Sequence, residues 1–384
     1  MQADKAHVSD AEPALMAHDY HTVWQIKAST FCNLRCKYCY EWAGLTDTRR
    51  MSLDQWRKVF IAMAGYRDYC IQNFEGNPMG FVAWHGGEPT LLPRAYAEDV
   101  LALQDELLGK TAREDGSYLN AAVTNLFSLN PTLKLMIERN FMFSVSLDGV
   151  PGARVDRAGK DSEARVLENL EWVIGQGGTC GVSMVVGRHN FEHLNAIHDR
   201  LDGIGLSWLR LGAMITPPDD APSENLALCY DETLRAITTL MDHRAKRGST
   251  LPVAPIDRVT RTASLHLNGT QRMTNRIGES HFIVRPDGTL ATQAGTTSPE
   301  RVLGNVFYQE IGELLSAKSM QALADNRAHM LGRHCARCQF EDACDRRAIF
   351  DLPGELPAGP CWLEAALIEA ALKRAARTEH DEHQ

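Results

Sequence analysis

The chain has 384 residues, 44% of them hydrophobic, with 40 Lys+Arg against 49 Asp+Glu and a formal charge of −9. At roughly 150 residues per domain this predicts two or three compact units with a real core. The acidic balance argues against coating nucleic acid or an anionic membrane, and no apolar run approaches the ~18 residues a span needs.

Residues 1–20 read as a loose polar arm without the charged-then-apolar order of a secretory signal, so a cytoplasmic location is expected. VWQIKAS (Val23–Ser29) reads as a strand entering a Cys-rich loop. MSLDQWRKVFIAMAGYRDYC has helical spacing with Ser52 as N-cap. GFVAWHGG is a strand ending in glycines, and Pro93–Gly109 is again helical. NAAVTN, FMFSVSLDG, GVSMVVG and LSWLRLGAM are further strand candidates, separated by segments with the 3.6-residue period. Strand and helix alternate up to about residue 215, which predicts an α/β fold with a parallel sheet, either barrel-like or open. A helix over Leu226–Arg247 precedes a basic, Gly/Ser-containing boundary. Beyond it come short strands, an RPDGT turn and a Cys-rich segment, and the last residues read as a disordered tail.

Ten cysteines in a reducing compartment are expected to hold a metal or a cluster rather than disulfides. Cys32, Cys36 and Cys39 have C-x3-C-x2-C spacing directly after the first strand. Three thiolates on one loop suit three irons of a cubane and leave the fourth iron open to a small molecule; zinc prefers four ligands. Cys335, Cys338 and Cys344 have C-x2-C-x5-C spacing, and Cys361 follows a Pro/Gly-rich loop. These four suit a closed site for zinc or a second 4Fe–4S cluster. Cys70, Cys180 and Cys229 are isolated and read as small buried hydrophobes.

The first cluster, with Tyr38 before its third cysteine, resembles the signature of the radical SAM enzymes. WHGGEP supplies Gly86, Gly87 and Glu88, similar to that family's segment for the amino group of S-adenosylmethionine. Glycines permit close backbone approach and a carboxylate suits an ammonium. The resemblance further implies cofactor-binding roles for Thr124, Asn125 and Ser146 at strand ends, and for Arg157 toward the cofactor carboxylate. His85 and Asp148 are the catalytic candidates, Asp148 as a substrate-facing acid. All sit where parallel α/β folds place ligands.

The family's partial six-stranded (β/α) TIM-like barrel is then expected over 21–248. A small, loop-rich α+β iron–sulfur domain follows over 249–372, with a disordered tail over 373–384. The second cysteine set resembles half of the SPASM/twitch-type extension of sulfatase and peptide maturases, which implies an auxiliary 4Fe–4S cluster at Cys335, Cys338, Cys344 and Cys361. His334 beside it is a candidate hydrogen-bond donor to a cluster sulfur. The pattern departs at Ala348. It departs again at Gln293 and Ala294, after the Asp287–Gly288 turn, where a cysteine and an acid would be expected. An inner auxiliary cluster and sulfatase-type proton abstraction are therefore not expected.

The implied chemistry is one-electron cleavage of S-adenosylmethionine, fed by a flavodoxin or ferredoxin, and hydrogen abstraction by a 5′-deoxyadenosyl radical. The substrate is expected to be a peptide or protein side chain, with a sugar, nucleoside or antibiotic precursor as the alternative. Neither nucleic acid nor a membrane is expected as partner. A zinc-stabilised binding protein would require the ordered core motifs to be coincidental.

Overall fold

A computed structural model describes residues 19–73, 77–109, 118–214, 226–270, 281–292, 301–316, 318–344, 361 and 363–382. The first strand, β1 (Asp19–Ser29), alternates strictly. Trp24, Ile26 and Ala28 are buried against helices, while Gln25 and Lys27 occupy the opposite face. Helix α1 (Leu53–Asn73) begins with a reciprocal cap, Gln55 N donating to Ser52 Oγ and Ser52 N to Gln55 Oε1. Its Trp56, Val59, Phe60, Met63 and Tyr66 form one buried stripe.

The unit then repeats as β2 (Asn77–Gly86), α2 (Arg94–Leu108), β3 (Tyr118–Thr124), α3 (Pro131–Glu138), β4 (Met142–Ser146), α4 (Glu163–Gly175), β5 (Thr179–Val186), α5 (Leu194–Asp202) and β6 (Trp208–Ala213). Strands β1 to β6 are parallel and adjacent in chain order. Their C-terminal ends therefore share one rim, and the six-unit partial barrel that the family resemblance implied is the observed architecture.

The sheet does not stop at residue 248. After α6 (Tyr230–Arg247), β7 (Val253–Ala254) pairs parallel with β6 and leads into α7 (Ile256–Leu267). At the other edge β8 (His281–Val284) pairs parallel with β1, then β9 (Thr289–Ala291) and β10 (Val302–Asn305) continue antiparallel. One ten-stranded sheet thus joins both halves of the chain.

Helices α8 (Ile311–Ser316), α9 (Lys318–His334) and α10 (Glu364–Glu382) make the C-terminal region more helical than loop-rich. The tail expected from 373 is helical to Glu382. Packing explains the difference: Leu367 and Ile368 are buried, and Arg374 Nη1 donates to Met241 O of α6 at 2.6 Å. Cys70 and Cys180 are buried as expected, whereas Cys229 is exposed at the N-cap of α6, in a reciprocal capping pair with Glu232. No helix among the described residues is long and apolar enough to cross a membrane.

Candidate active site

The Cys loop is clamped from two sides. Gly87 N donates to Ser29 O (3.0 Å) and Glu88 N to Phe31 O (2.9 Å), so the GGEP segment docks on the backbone leading into Cys32. A Cβ on Gly86, whose φ is +117°, would lie 2.0 Å from Ser29 O. One on Gly87 would lie 2.1 Å from Phe31 O. Both glycines are thus required by close approach to the Cys loop itself. From the other side Arg35 N donates to Val155 O (2.7 Å) and Lys37 N to Ala153 O (3.0 Å). This bracing brings residues 153–155 alongside the turn holding Cys36.

Glu88 is fully engaged. Its oxygens accept from Thr90 N (3.0 Å), Thr90 Oγ1 (2.7 Å), Thr124 Oγ1 (2.8 Å) and Asn125 N (2.6 Å). It ties the end of β2 to the end of β3, a role the motif did not reveal. Asn125 then reaches Cys32: its Nδ2 lies 3.5 Å from Sγ, and Leu34 N lies 3.4 Å from the same sulfur. Asn125 is therefore beside the first cysteine, while Thr124 holds Glu88. Ser146 ends β4 on the face opposite the buried Phe143 and Val145.

Behind the loop lies a buried polar group. Tyr38 Oη donates to Asp148 Oδ2 at 2.5 Å, and Arg154 Nη1 lies 3.3 Å from the Tyr38 oxygen. His189 stacks on Tyr38 at 5.8 Å between centroids, its Nε2 3.3 Å from Asp148 Oδ2. Asp148 is 0% exposed, which departs from the expected substrate-facing acid: Tyr38 and His189 cover it. His189 and Arg154 were missed in the sequence because neither lies in a recognisable spacing. Two guanidiniums flank the cysteines: Arg154 acts on Cys36 through its charge, and Arg35 Nη1 donates to Cys32 O at 3.0 Å, while Arg157 lies 4.9 Å over the Phe31 ring. His85 is half-buried, in register with Lys27 of β1, and Gly86 N donates to its Nδ1 at 2.6 Å. Burial, with Lys27 and His281, pushes it down to about 3, so it is neutral at ordinary pH.

Glu163 completes the group, 3.6 Å from Arg154 Nε. Burial, opposed by Arg154 and reinforced by Asp148, raises its carboxyl from 4.5 to about 7. The folded chain then holds more protons than the unfolded one across that window. The stabilisation is complete below pH 4.5 and is lost as pH rises through about 7. Glu163→Gln removes the titration, so its thermal midpoint is expected to fall less steeply than the unsubstituted protein's from pH 4.5 to 7. Equal slopes would contradict this assignment.

The three thiols suit a metal cluster chemically. Burial raises Cys32 to about 11 and Cys39 to about 12, with a further increase from Glu88 at Cys32 and from the Cys36 thiol at Cys39. Burial also raises Cys36, against the pull of Arg154. Such thiols ionise when a metal replaces the protons. In the C-terminal half Cys335, Cys338, Cys344 and Cys361 line one cavity with His334, Phe340 and Glu364. The start of α10 directs the Glu364 and Ala365 amides at the Cys361 sulfur. Arg258 holds Glu364 at 2.7 Å, tying this site to α7. The departures at Gln293, Ala294 and Ala348 lie outside the described residues.

A cavity of about 560 Å³ adjoins the loop after Cys39. It is bounded by Lys27, Tyr40 and Glu41 on one side, and by Arg49, Arg50 and the Arg285–Asp287 turn on the other. Lys27 pairs with Glu41 at its inner wall.

The Radical SAM superfamily model matches residues 26–201. A serine-type anaerobic sulfatase-maturating enzyme of Klebsiella aerogenes is 25% identical over 326 residues, covering 82% of this chain and 76% of that protein. A cysteine-type anaerobic sulfatase-maturating enzyme of Clostridium perfringens is 22% identical over 337 residues, covering 83% and 85%. The solved structure of native anSMEcpe with bound AdoMet and Kp18Cys peptide superposes with a TM-score of 0.71 at 18% identity, covering 94% of this chain and 100% of that one. Streptococcus suis SuiB gives 0.56 at 13% identity, covering 85% and 71%. With the Cys loop, its docked GGEP segment and the six-unit partial barrel in place, residues 26–201 are a radical SAM domain, and the chain that carries it is an enzyme.

Proposed function

We propose that this enzyme modifies a peptide or protein side chain, by oxidation or crosslinking. The observation that carries the reading is the polar cavity beside Cys39, large enough for a side chain and walled by both halves of the chain. Similarity to sulfatase-maturating enzymes along most of the length supports it, as does the fold shared with a peptide-bound structure.

Cys32, Cys36 and Cys39 would hold a 4Fe–4S cluster with one open iron, and with S-adenosylmethionine it supplies a hydrogen-abstracting carbon radical. The chain's residues prepare that site. Leu34 N and Asn125 Nδ2 offer hydrogen bonds to Cys32 Sγ that favour its thiolate. Arg154 supplies a buried positive charge near Cys36 and is the guanidinium we assign to the cofactor carboxylate. Gln25, Lys27 and His85 line the barrel interior with polar groups, His85 as a neutral imidazole. The C-terminal thiols would hold a second 4Fe–4S cluster, and a flavodoxin or ferredoxin would deliver the electron.

Arg154→Ala is expected to weaken S-adenosylmethionine binding about 10–100-fold, the range for losing a charged hydrogen-bond partner. Arg157→Ala is expected to change it less than about threefold. Equal effects would contradict the assignment. The function itself is tested by supplying reconstituted enzyme, dithionite and S-adenosylmethionine with short peptides encoded beside its gene. Peptide-dependent 5′-deoxyadenosine and a peptide that has lost hydrogens are expected. Turnover with a sugar or nucleoside panel and none with peptides would overturn the reading.

A further inference from the structure

His198 and Asp199 lie on α5 and His243 on the neighbouring α6, outside the Cys loop and its cavity. One ligand atom from each falls within 4.8 Å of the other two. His198 is 0% exposed, and its Nε2 lies 3.3 Å from Ser249 Oγ. Its Nδ1 is buried without a hydrogen-bond partner, 3.6 Å from Asp199 Oδ1, which is too long for a hydrogen bond. The same carboxylate oxygen lies 2.7 Å from His243 Nε2.

In the tautomer that carries the His198 proton on Nε2, toward Ser249, the Nδ1 lone pair faces Asp199 Oδ1. That oxygen is shared with His243 Nε2 and Arg247 Nε, so a metal ion would take the place of the His243 proton and of the Arg247 cation. A ligating histidine places an acceptor on its far ring N–H, and the Ser249 hydroxyl, 3.3 Å away, can serve as one. Tetrahedral zinc at 2.0–2.1 Å from each donor sets neighbouring ligand atoms roughly 3.3 Å apart. The two separations from Asp199 Oδ1, 2.7 and 3.6 Å, bracket that value, and the two imidazole nitrogens lie within 4.8 Å of each other, so binding would draw the rings together. Two imidazoles and one carboxylate suit zinc, nickel or copper, and do not suit calcium or magnesium. The competing charge is Arg247, whose Nε lies 3.0 Å from Asp199 Oδ1. Its side chain is 54% exposed, so solvent is open to it once a metal ion takes its place.

We propose that His198, Asp199 and His243 form a binding site for a divalent transition-metal ion of the zinc class, which staples α5 to α6. Ser249 is its positioning residue, and a water completes the coordination. This site does not depend on the reading of the substrate.

The test is calorimetric titration of Zn²⁺ into the protein after both cysteine sets have been loaded with iron–sulfur clusters, so that thiols do not compete. One zinc per chain is expected, with a rise in the thermal midpoint. Asp199→Asn and His243→Ala are expected to lose both the binding and the rise. Arg247→Ala, an exposed position that spares the fold, is expected to bind severalfold more tightly because the competing cation is gone. No zinc uptake by the unsubstituted protein, or uptake unchanged in His243→Ala, would reduce the triad to an ion-pair network between helices. Arg247→Ala binding no more tightly would also contradict the site.

Discussion

Glu88→Ala is expected to destabilise the protein by about 3–5 kcal/mol and to loosen the first cysteine site at the same time. Glu88 is 4% exposed and accepts four hydrogen bonds, two from Thr90 within its own segment and two, from Thr124 and Asn125, that bind the end of β2 to the end of β3. Removing it leaves the Thr90 and Asn125 amides buried without an acceptor, each costing about 1–3 kcal/mol. Asn125, freed at its backbone, no longer holds Nδ2 at 3.5 Å from Cys32 Sγ. A lower thermal midpoint and reduced iron loading should therefore appear together, and Glu88→Gln should recover part of both. If Glu88 served only to contact the cofactor, the midpoint would stay put and only affinity would fall.

The βα alternation was legible because each strand and each helix carries its own period. Trp24, Ile26 and Ala28 mark one face of β1, and Trp56 to Tyr66 mark one stripe of α1. The rim motifs were legible because short spacings survive in the sequence: Cys32 to Cys39, Gly86 to Glu88, Thr124 and Asn125. What those residues do to one another was not legible. Glu88 reads as a ligand-facing acid until Thr124 and Asn125 are seen on it. Asp148 reads as a substrate-facing acid until Tyr38 and His189 cover it.

Arg154 and Arg157 are three residues apart with no local signal to separate them. Only the pairing of Ala153 and Val155 with the Cys loop brings the first inward. Helix α10 escaped for a related reason: its acidic and basic composition looks solvated, and its order comes from contacts with α6 and α7 distant in sequence.

Replacing Cys32, Cys36 and Cys39 together by alanine is expected to abolish reductive cleavage of S-adenosylmethionine, a loss of more than about a hundredfold given what even outer-shell changes cost. The C-terminal site should survive the substitution. Its four thiols gather around the end of α9 and the start of α10, anchored by Phe340, Glu364 and Arg258 rather than by the barrel rim. The triple substitution at the rim is thus expected to separate the two cysteine sets, one assigned to cofactor cleavage and the other to the proposed auxiliary cluster.

Iron and acid-labile sulfide, counted after anaerobic reconstitution of the unsubstituted protein and this triple variant, test the account most directly. About eight irons falling to about four is the expected result, the content of two cubane clusters and then one. A variant that carries zinc and no iron would contradict the auxiliary cluster and leave the C-terminal thiols as a structural clasp. A variant that keeps all its iron and still forms 5′-deoxyadenosine would contradict the assignment of Cys32, Cys36 and Cys39.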